Sequence, residues 1–521
     1  MAESNPLLHQ PVEEANAVSP ITNIIQDGLS LEKAMDQCLG DHFGWTQIFQ
    51  LLIISFAWAI DAQQVFISIF TDAAPTWHCT QISDVPCNST TNVCAISQGS
   101  WAWDLPAHVS TVSEWTLQCS SSVITSLPAA SFFIGCFIGG IVLSPLADSN
   151  LGRKRMLVIS CLVMSLGAFM AAFSTNVWMY AALRFVSGFG RAPITTCALV
   201  LPTEMLGRRW RGHVSLITYS FFTVGFLSLP AIAYACRGCS WRIIYLLTSV
   251  PAILYALLAH LTVFESPRWL FLRGRLEEAI LILGKLLKSQ PPSTKTLTSI
   301  WSQGCTQWVI PDNENMFSAI KNLGSRASAV RRLLAVMVVG FGIAMVYFGM
   351  PLGVGKLGFN LYLSVTLNAL LELPASVMAF ILLRNHIRRK SAILTLTLLS
   401  GIFSATCVVH SDREELKMGM ELSSFFCACT AFDILLIYVV ELFPAYVRNT
   451  AMAMVRQAIL LGAATSPILV AADQEKSLVQ YGVLGAGIGF CGLLVIFLPE
   501  TQGKAMYDTM EEQECEQRTN K

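Results

Sequence analysis

Six ionisable residues stand inside otherwise apolar stretches of this chain: Asp61, Arg184, Arg191, Glu372, Asp433 and Arg456. A charged side chain at mid-membrane costs roughly 2.5–3.5 kcal/mol on insertion scales. Each therefore calls for a counter-charge, a ligand or a proton relay. A second set stands where apolar stretches end. Glu204 precedes Arg211 by seven residues, and Glu441 precedes Arg448 by seven. Asp148 stands just ahead of the basic cluster Arg153, Lys154 and Arg155. A carboxylate that holds a guanidinium in one conformation and releases it in another biases the equilibrium between them. Glu204 with Arg211, Glu441 with Arg448 and Asp148 with Arg153 are candidate gate pairs, with exchange of partners between helices allowed. The plainer alternative is a set of fixed folding salt bridges. An isolated pair at a wet membrane edge contributes only ~0–1 kcal/mol, so a gate needs several.

The edge residues repeat. Glu204 and Arg211 recur, at one common offset, as Glu441 and Arg448. Arg153 to Arg155 return as Arg388, Arg389 and Lys390 at very nearly the same offset, and Glu265 is answered in the same way by Glu500. A shared offset close to half the chain indicates two copies of one membrane bundle, the architecture of secondary transporters.

Composition supports a membrane chain. Hydrophobic residues make up 54% and charged residues 13%, where a soluble protein carries roughly 25% charged. The mean hydropathy is +0.55. The fold class is all-α membrane protein. Twelve spans of near 20 residues are expected at 44–70, 122–147, 156–174, 177–201, 213–235, 241–263, 332–352, 359–383, 391–410, 417–440, 450–472 and 478–498. They divide into an N-terminal six-helix bundle, 44–263, and a C-terminal one, 332–498. A cytosolic tail (1–43), a central cytosolic loop (264–331) and a second tail (499–521) complete the chain. The loop at 73–121 has no Lys or Arg, whereas the alternate loops are basic. The positive-inside rule then places both termini in the cytosol. A formal net charge of zero gives no case for nucleic acid as a partner.

The first outer loop holds Cys79, Cys87, Cys94 and Cys119, together with a sequon at Asn88. Four cysteines in a non-cytosolic loop point to two disulfides, with three pairings open. Asn88 is a candidate glycan site. Zinc is a weaker alternative, since the spacing follows no common metal pattern. The central loop contains an amphipathic stretch, Leu270 to Leu287, expected to form short helices along the membrane. The N-terminal tail lacks a basic segment followed by a short apolar run, so no cleaved signal peptide is expected. Glu3 to Leu8 (ESNPLL) has the form of an acidic dileucine sorting signal, which favours a vacuolar membrane over the plasma membrane.

Several motifs resemble those of the organic cation/carnitine transporters of the major facilitator superfamily, in a plant-like version. They are Glu265 to Leu270 (ESPRWL), Glu372 to Pro374 (ELP), Glu441 to Thr450 (ELFPAYVRNT) and Pro499 to Gly503 (PETQG). Phe221 to Gly225 (FFTVG) and Arg184 with Gly188 and Gly190 add to them. The resemblance covers residues 44 to 512. It implies a major facilitator fold of 12 transmembrane helices in two pseudo-symmetric bundles, alternating access, a small quaternary ammonium or zwitterionic substrate and a possible coupling ion. One mark departs: Ser144 replaces a glycine at the start of the loop between spans two and three. Asp148 also lies four residues before Gly152, where the superfamily usually has three.

The resemblance makes Asp433 a cavity position and Tyr347 a cavity tyrosine, and Glu372 resembles a fixed acid of span eight. Asp433 is the expected partner of an ammonium. Asp61 would serve the same cation or carry a coupling proton. Cation transporters of the family have an acid in span eleven at the position of Leu460, and none stands here. Arg456 lies four residues earlier, one turn away on the same face. A base there facing Asp433 suits a zwitterion such as carnitine: Arg456 for the carboxylate, Asp433 for the trimethylammonium. The alternative is that Arg456 pairs only with protein acids. Arg184 joins Glu204, Arg211, Glu441 and Arg448 among the expected gating residues.

No P-loop, HExxH or nucleophile-elbow pattern occurs, so an ATP-driven pump and an enzyme are not indicated. No cofactor and no metal are expected. The rivals are a facilitator for a polyol or sugar and a membrane sensor that does not transport.

Overall fold

The computed structural model describes residues 44–80, 93–96, 100–147, 151–206, 210–287, 326–356, 359–384, 387–409, 414–472 and 479–502. Cys87, Asn88 and Asp148 lie outside these residues, and so does the Arg211 side chain. The N-terminal half contains α1 (Trp45–Phe66), α2 (Ser122–Val142), α3 (Arg153–Ala171), α4 (Val177–Arg191), α5 (Ile194–Met205), α6 (Arg211–Ala235) and α7 (Trp241–Thr262). Two short helices follow, α8 (Pro267–Leu272) and α9 (Leu276–Leu287). The C-terminal half contains α10 (Ala327–Gly353), α11 (Leu361–Arg384), α12 (Arg389–Val409), α13 (Glu414–Leu442), α14 (Ala445–Ala472) and α15 (Val479–Leu493).

Among the described residues, 11 helices are long and apolar enough to cross a membrane. The expected span at 177–201 is instead two helices, α4 and α5. Pro193 has no N–H to give to the helical ladder, and its ring obstructs the residue before it, so the helix stops at Arg191. The corresponding stretch of the second half has Thr430 in place of Pro193, and α13 runs unbroken for 29 residues.

Polar side chains set the helix starts. Asn176 Oδ1 accepts from Met179 N at 2.8 Å at the start of α4, and Ser266 Oγ accepts from Trp269 N at 3.1 Å at the start of α8. Gly274, at φ +73, turns α8 into α9 within the amphipathic stretch.

Close contact of helix backbones holds each half together. Gly225 on α6 lies against the Ala59 carbonyl on α1. Gly462 on α14, its counterpart in the second half, lies against the Phe341 carbonyl on α10. The two glycines thus make the same contact in the two halves, and a Cβ at either would collide with backbone. Small residues replace the missing hydrophobic drive between helices in lipid. The halves meet along two seams, α2 with α14 and α6 with α11. Phe133 and Phe348 cross the space between them with ring centroids 5.0 Å apart, and Phe70 stacks on Tyr362 at 5.7 Å.

The segment after α1 forms a small cap. Strands β1 (Trp77–Cys79) and β2 (Trp101–Trp103) pair antiparallel. Cys94 is bonded to Cys119, and Cys79 is disulfide-bonded as well. Glu114 beneath this cap accepts from Trp241 Nε1 at 2.6 Å and pairs with Arg242, which fastens the cap to α7. The membrane end bearing this cap is called here the cap end, and the opposite one the charged end.

Adding methyl groups at the crowded glycines should separate helices that now touch. Gly225→Val and Gly462→Val are each expected to destabilise the protein by about 1–3 kcal/mol. Gly489→Ala, where an added Cβ meets nothing within 4 Å, should be silent. Thermal melting of the purified protein, followed by size-exclusion chromatography, measures all three.

Candidate functional site

Two matched clusters of charge stand at the charged end. In the first, Glu204 on α5 receives Arg153 Nη1 at 2.7 Å and Ser266 Oγ at 2.6 Å on the same oxygen. In the second, Glu441 on α13 receives Thr501 Oγ1 at 2.7 Å and lies 3.5 Å from Arg389 Nε. The members play matching parts: Glu204 and Glu441, Ser266 and Thr501, and Arg153 and Arg389, the last being one residue beyond the sequence counterpart Arg388. The expected pairing of Glu441 with Arg448 does not form among the described residues. Pro444 ends α13, and Arg448 starts the next helix, where its Nε donates to the Phe443 carbonyl at 3.2 Å. Glu204 takes its base from α3, across the bundle.

Glu265 supports the first cluster from below. Its Oε1 accepts the N-terminal amides of α3, Arg153 N and Lys154 N, both at 3.1 Å. A carboxylate there meets the positive end of the helix dipole. Gly152, at φ +85, has the one side chain that leaves room for it, since a Cβ would run into the carboxylate. Burial pushes the Glu265 carboxyl up, and these backbone hydrogen bonds oppose the shift.

Deeper in the N-terminal half, Arg191 at the end of α4 makes a two-pronged pair with Asp61 of α1. Nε reaches Oδ1 at 2.6 Å and Nη2 reaches Oδ2 at 2.9 Å. Asp61 is fully buried. It was expected to meet substrate or a coupling proton, but both of its oxygens are held by Arg191. Arg184, expected at a gate, is not at the charged end. It lies about two helical turns nearer the cap than Arg191. There it donates to the Gln64 carbonyl at 3.1 Å and Ser68 Oγ at 3.2 Å, and sits 4.2 Å over the Phe132 ring.

Glu372 on α11 is also engaged on both oxygens. Tyr347 donates to Oε1 at 2.5 Å, and Thr223 of α6 donates to Oε2 at 3.2 Å. The second bond crosses between the halves. Tyr347 is clamped between Phe425 and Phe432, with centroids at 5.7 and 5.2 Å.

Asp433 and Arg456 are placed differently. Asp433 Oδ2 accepts from Ser376 of α11 at 2.8 Å. Arg456 Nη1 donates to Thr196 of α5 at 2.7 Å, again across the halves. Among the described residues neither belongs to an ion pair, and they do not pair with each other. Tyr219 on α6 lies close enough to feel both charges. Trp58 backs it edge-on, with ring centroids 5.4 Å apart, and Trp58 Nε1 is buried without a hydrogen-bond partner. The offset that relates Glu204 to Glu441 also relates Thr196 to Asp433 and Tyr219 to Arg456. The site is thus two symmetry-related pairs, each neutral in the first half and charged in the second.

Sequence reasoning missed Thr196, Thr223, Ser376 and Trp58. The repeat offset alone could have found Thr196, as the counterpart of Asp433. A crevice of ≈ 490 Å³ between the cap ends of α6 and α11, lined by residues such as Leu227, Pro230 and Tyr362, holds none of these charged groups.

Residues 104–512 match the family described as "Sugar (and other) transporter". The chain is 49% identical over 493 residues to organic cation/carnitine transporter 3 of Arabidopsis thaliana, covering 93% of each chain. It is 46% identical to organic cation/carnitine transporter 2 of the same plant, covering 94% of this chain and 95% of that one. Human organic cation/carnitine transporter 2 is 28% identical, with 79% and 73% covered. Among solved structures, the inward-open xylose transporter XylE of E. coli superposes with a TM-score of 0.61 at 18% identity, covering 90% of this chain and 98% of that one. That likeness establishes the fold. The chain belongs to the plant organic cation/carnitine transporter family of the major facilitator superfamily.

Proposed function

We propose that this secondary transporter carries organic cations and zwitterions of carnitine's type, holding the ammonium at Asp433 and the carboxylate at Arg456. The observation that carries this reading is the pair of opposite charges, both near Tyr219, that have no ionic partner among the described residues. An unpaired charge inside the membrane is costly, and a zwitterion neutralises both at once. Glu372 nearby adds negative potential beside Asp433. Tyr219 and Trp58 supply aromatic faces, each worth roughly 0.5–2 kcal/mol to an ammonium. A guanidinium holds a carboxylate through two parallel hydrogen bonds, which fixes the far end of the solute.

The clusters at the charged end act in this reading as the gate. Each joins parts of one half, so movement of the halves changes what faces them without breaking every pair. We place that end, and both termini, on the cytosolic side, because Lys and Arg concentrate there and are absent from 73–121. The dileucine at Leu7 and Leu8 directs the protein to the vacuolar membrane, and Asn88 carries a glycan.

Two experiments test this. In cells expressing the protein, Asp433→Asn should lower uptake of both tetraethylammonium and carnitine at least roughly tenfold, the loss of ~1.4 kcal/mol. Arg456→Gln should raise the KM for carnitine by a similar factor and leave tetraethylammonium within about twofold. Equal loss of both solutes in Arg456→Gln would remove the carboxylate role. For the gate, labelling of a cysteine placed at the charged end reports the balance of conformations. Glu441→Gln and Arg389→Gln should couple by about 0.5–1 kcal/mol in a double-mutant cycle, and Glu441→Gln with Arg448→Gln should be additive.

A further inference from the structure

The turn that joins α6 to α7 carries two thiols that take no part in the transport site. Cys236 follows the last residue of α6, and Cys239 stands three residues on, with Arg237 and Gly238 between them. Both are free in the structure; Cys239 is exposed and Cys236 half-buried. Cys239 N donates to the Cys236 carbonyl at 2.9 Å, which closes a four-residue turn. Gly238, at φ +84, takes the third position, where a type II turn needs a positive φ. Ser240 then caps α7 by accepting from Arg242 N at 3.4 Å.

The geometry suits a bond between the two sulfurs. The ends of such a turn lie within about 7 Å of each other, Cα to Cα, which overlaps the range that a disulfide spans. The thiols also stand in each other's field: burial first, and then the neighbouring Cys239, push the Cys236 thiol up. Cys239 is thus the sulfur presented to a reagent, and Cys236 stands behind it. Among the described residues no third His, Cys, Asp or Glu joins them into a metal-binding group. The turn shares its membrane face with a disulfide already formed. Arg242, three residues past Cys239, pairs with Glu114 of the cap, and the cap holds the Cys94–Cys119 bond.

We propose that Cys236 and Cys239 are a reversible dithiol, closed through exchange with a low-molecular-weight disulfide of the class of oxidised glutathione. The Cys239 thiolate attacks one sulfur of the small disulfide, whose S–S bond breaks. One half leaves as a thiol, with the proton that Cys239 gave up. The Cys236 thiolate then attacks the Cys239 sulfur, and the second half leaves as a thiol with the Cys236 proton. Two protein thiols are oxidised, and one small disulfide is reduced to two thiols. The closed loop spans only four residues. It gains far less from loop closure than Cys94–Cys119, whose members are 25 residues apart. The bond therefore follows the surrounding thiol–disulfide balance, while the cap bond stays closed. The turn also reaches the other half. Tyr234, two residues before Cys236, meets Tyr362 of α11 edge-on with ring centroids 5.5 Å apart, and Arg237 lies within the field of Tyr362. Closure holds Arg237 in place, and so bears on the cap end of the seam between α6 and α11.

The test reads sulfur chemistry and needs no solute, so its outcome is independent of the carnitine reading. The purified full chain is equilibrated in glutathione buffers of rising oxidised fraction, quenched with acid and alkylated with N-ethylmaleimide. Trypsin then cuts after Arg237, between the two cysteines. In oxidised glutathione, mass spectrometry without reduction should show peptide 212–237 joined to peptide 238–242, with the alkyl group lost from both. In reduced glutathione the two peptides should be separate and alkylated. The Cys94–Cys119 bond should persist in both buffers. Cys236→Ser should leave glutathione trapped on Cys239, because the sulfur that resolves the mixed disulfide is gone. Cys239→Ser should leave Cys236 alkylated. The proposal is overturned if Cys236 and Cys239 stay alkylated in oxidised glutathione, or if the wild type accumulates mixed disulfides without the joined peptides. Joined peptides that persist in reduced glutathione overturn it as well, since the bond would then be a fixed one.

Discussion

Charge inside a hydrocarbon layer must be matched, and that requirement organises this molecule. The Asp61–Arg191 pair shows the requirement met. It joins α1 to the end of α4, with both carboxylate oxygens engaged by one guanidinium. Removal of one partner from such a pair costs about 3–5 kcal/mol, because the other charge is left uncompensated. The break at Pro193 follows directly, so α5 leaves on its own course and presents Thr196 to the opposite half. A structural ion pair, a broken helix and a cross-bundle contact are thus successive steps along one short stretch of chain.

Duplication supplied the scaffold, and divergence supplied the chemistry. Contacts that hold helices together are the same in both halves: Gly225 and Gly462 on backbone carbonyls, Glu204 and Glu441 with a base and a hydroxyl. Positions that face the space between the halves differ. Thr196 is matched by Asp433 and Tyr219 by Arg456; inside the bundles, Arg184 is matched by Glu421. Packing tolerates little change where backbones touch. A position lining a polar space is freer, and opposite charges there let one fold distinguish its two halves.

The fold was legible because its signals are local. Long apolar runs, alternating basic loops and a repeated set of edge residues all survive in one dimension. The charge pairs were not legible, since their partners are set by three-dimensional packing. Seven residues separate Glu204 from Arg211 and Glu441 from Arg448, a spacing that suggests two turns of one helix. A helix ends between the members each time, after Met205 and at Pro444; Glu441 lies against Arg389 of α12, and Glu204 holds Arg153 of α3. Asp61 and Arg191 are 130 residues apart, and nothing in either neighbourhood announces the other. Glu421 escaped notice because it stands near the expected edge of its span, where an acid normally meets water. Asp433 and Arg456 could be singled out since each is alone in an apolar stretch.

The partial partners of Asp433 and Arg456 explain how such charges persist through the solute-free steps of a transport cycle. Ser376 gives the carboxylate one hydrogen bond, and Thr196 accepts one from the guanidinium. These neutral contacts lower the cost of burial without cancelling the charges. A salt bridge between the two residues would cancel both. A hydrophobic pair would remove them as well. Neutral partners from α11 and α5 thus hold each charge in place, and neither charge is cancelled by the other.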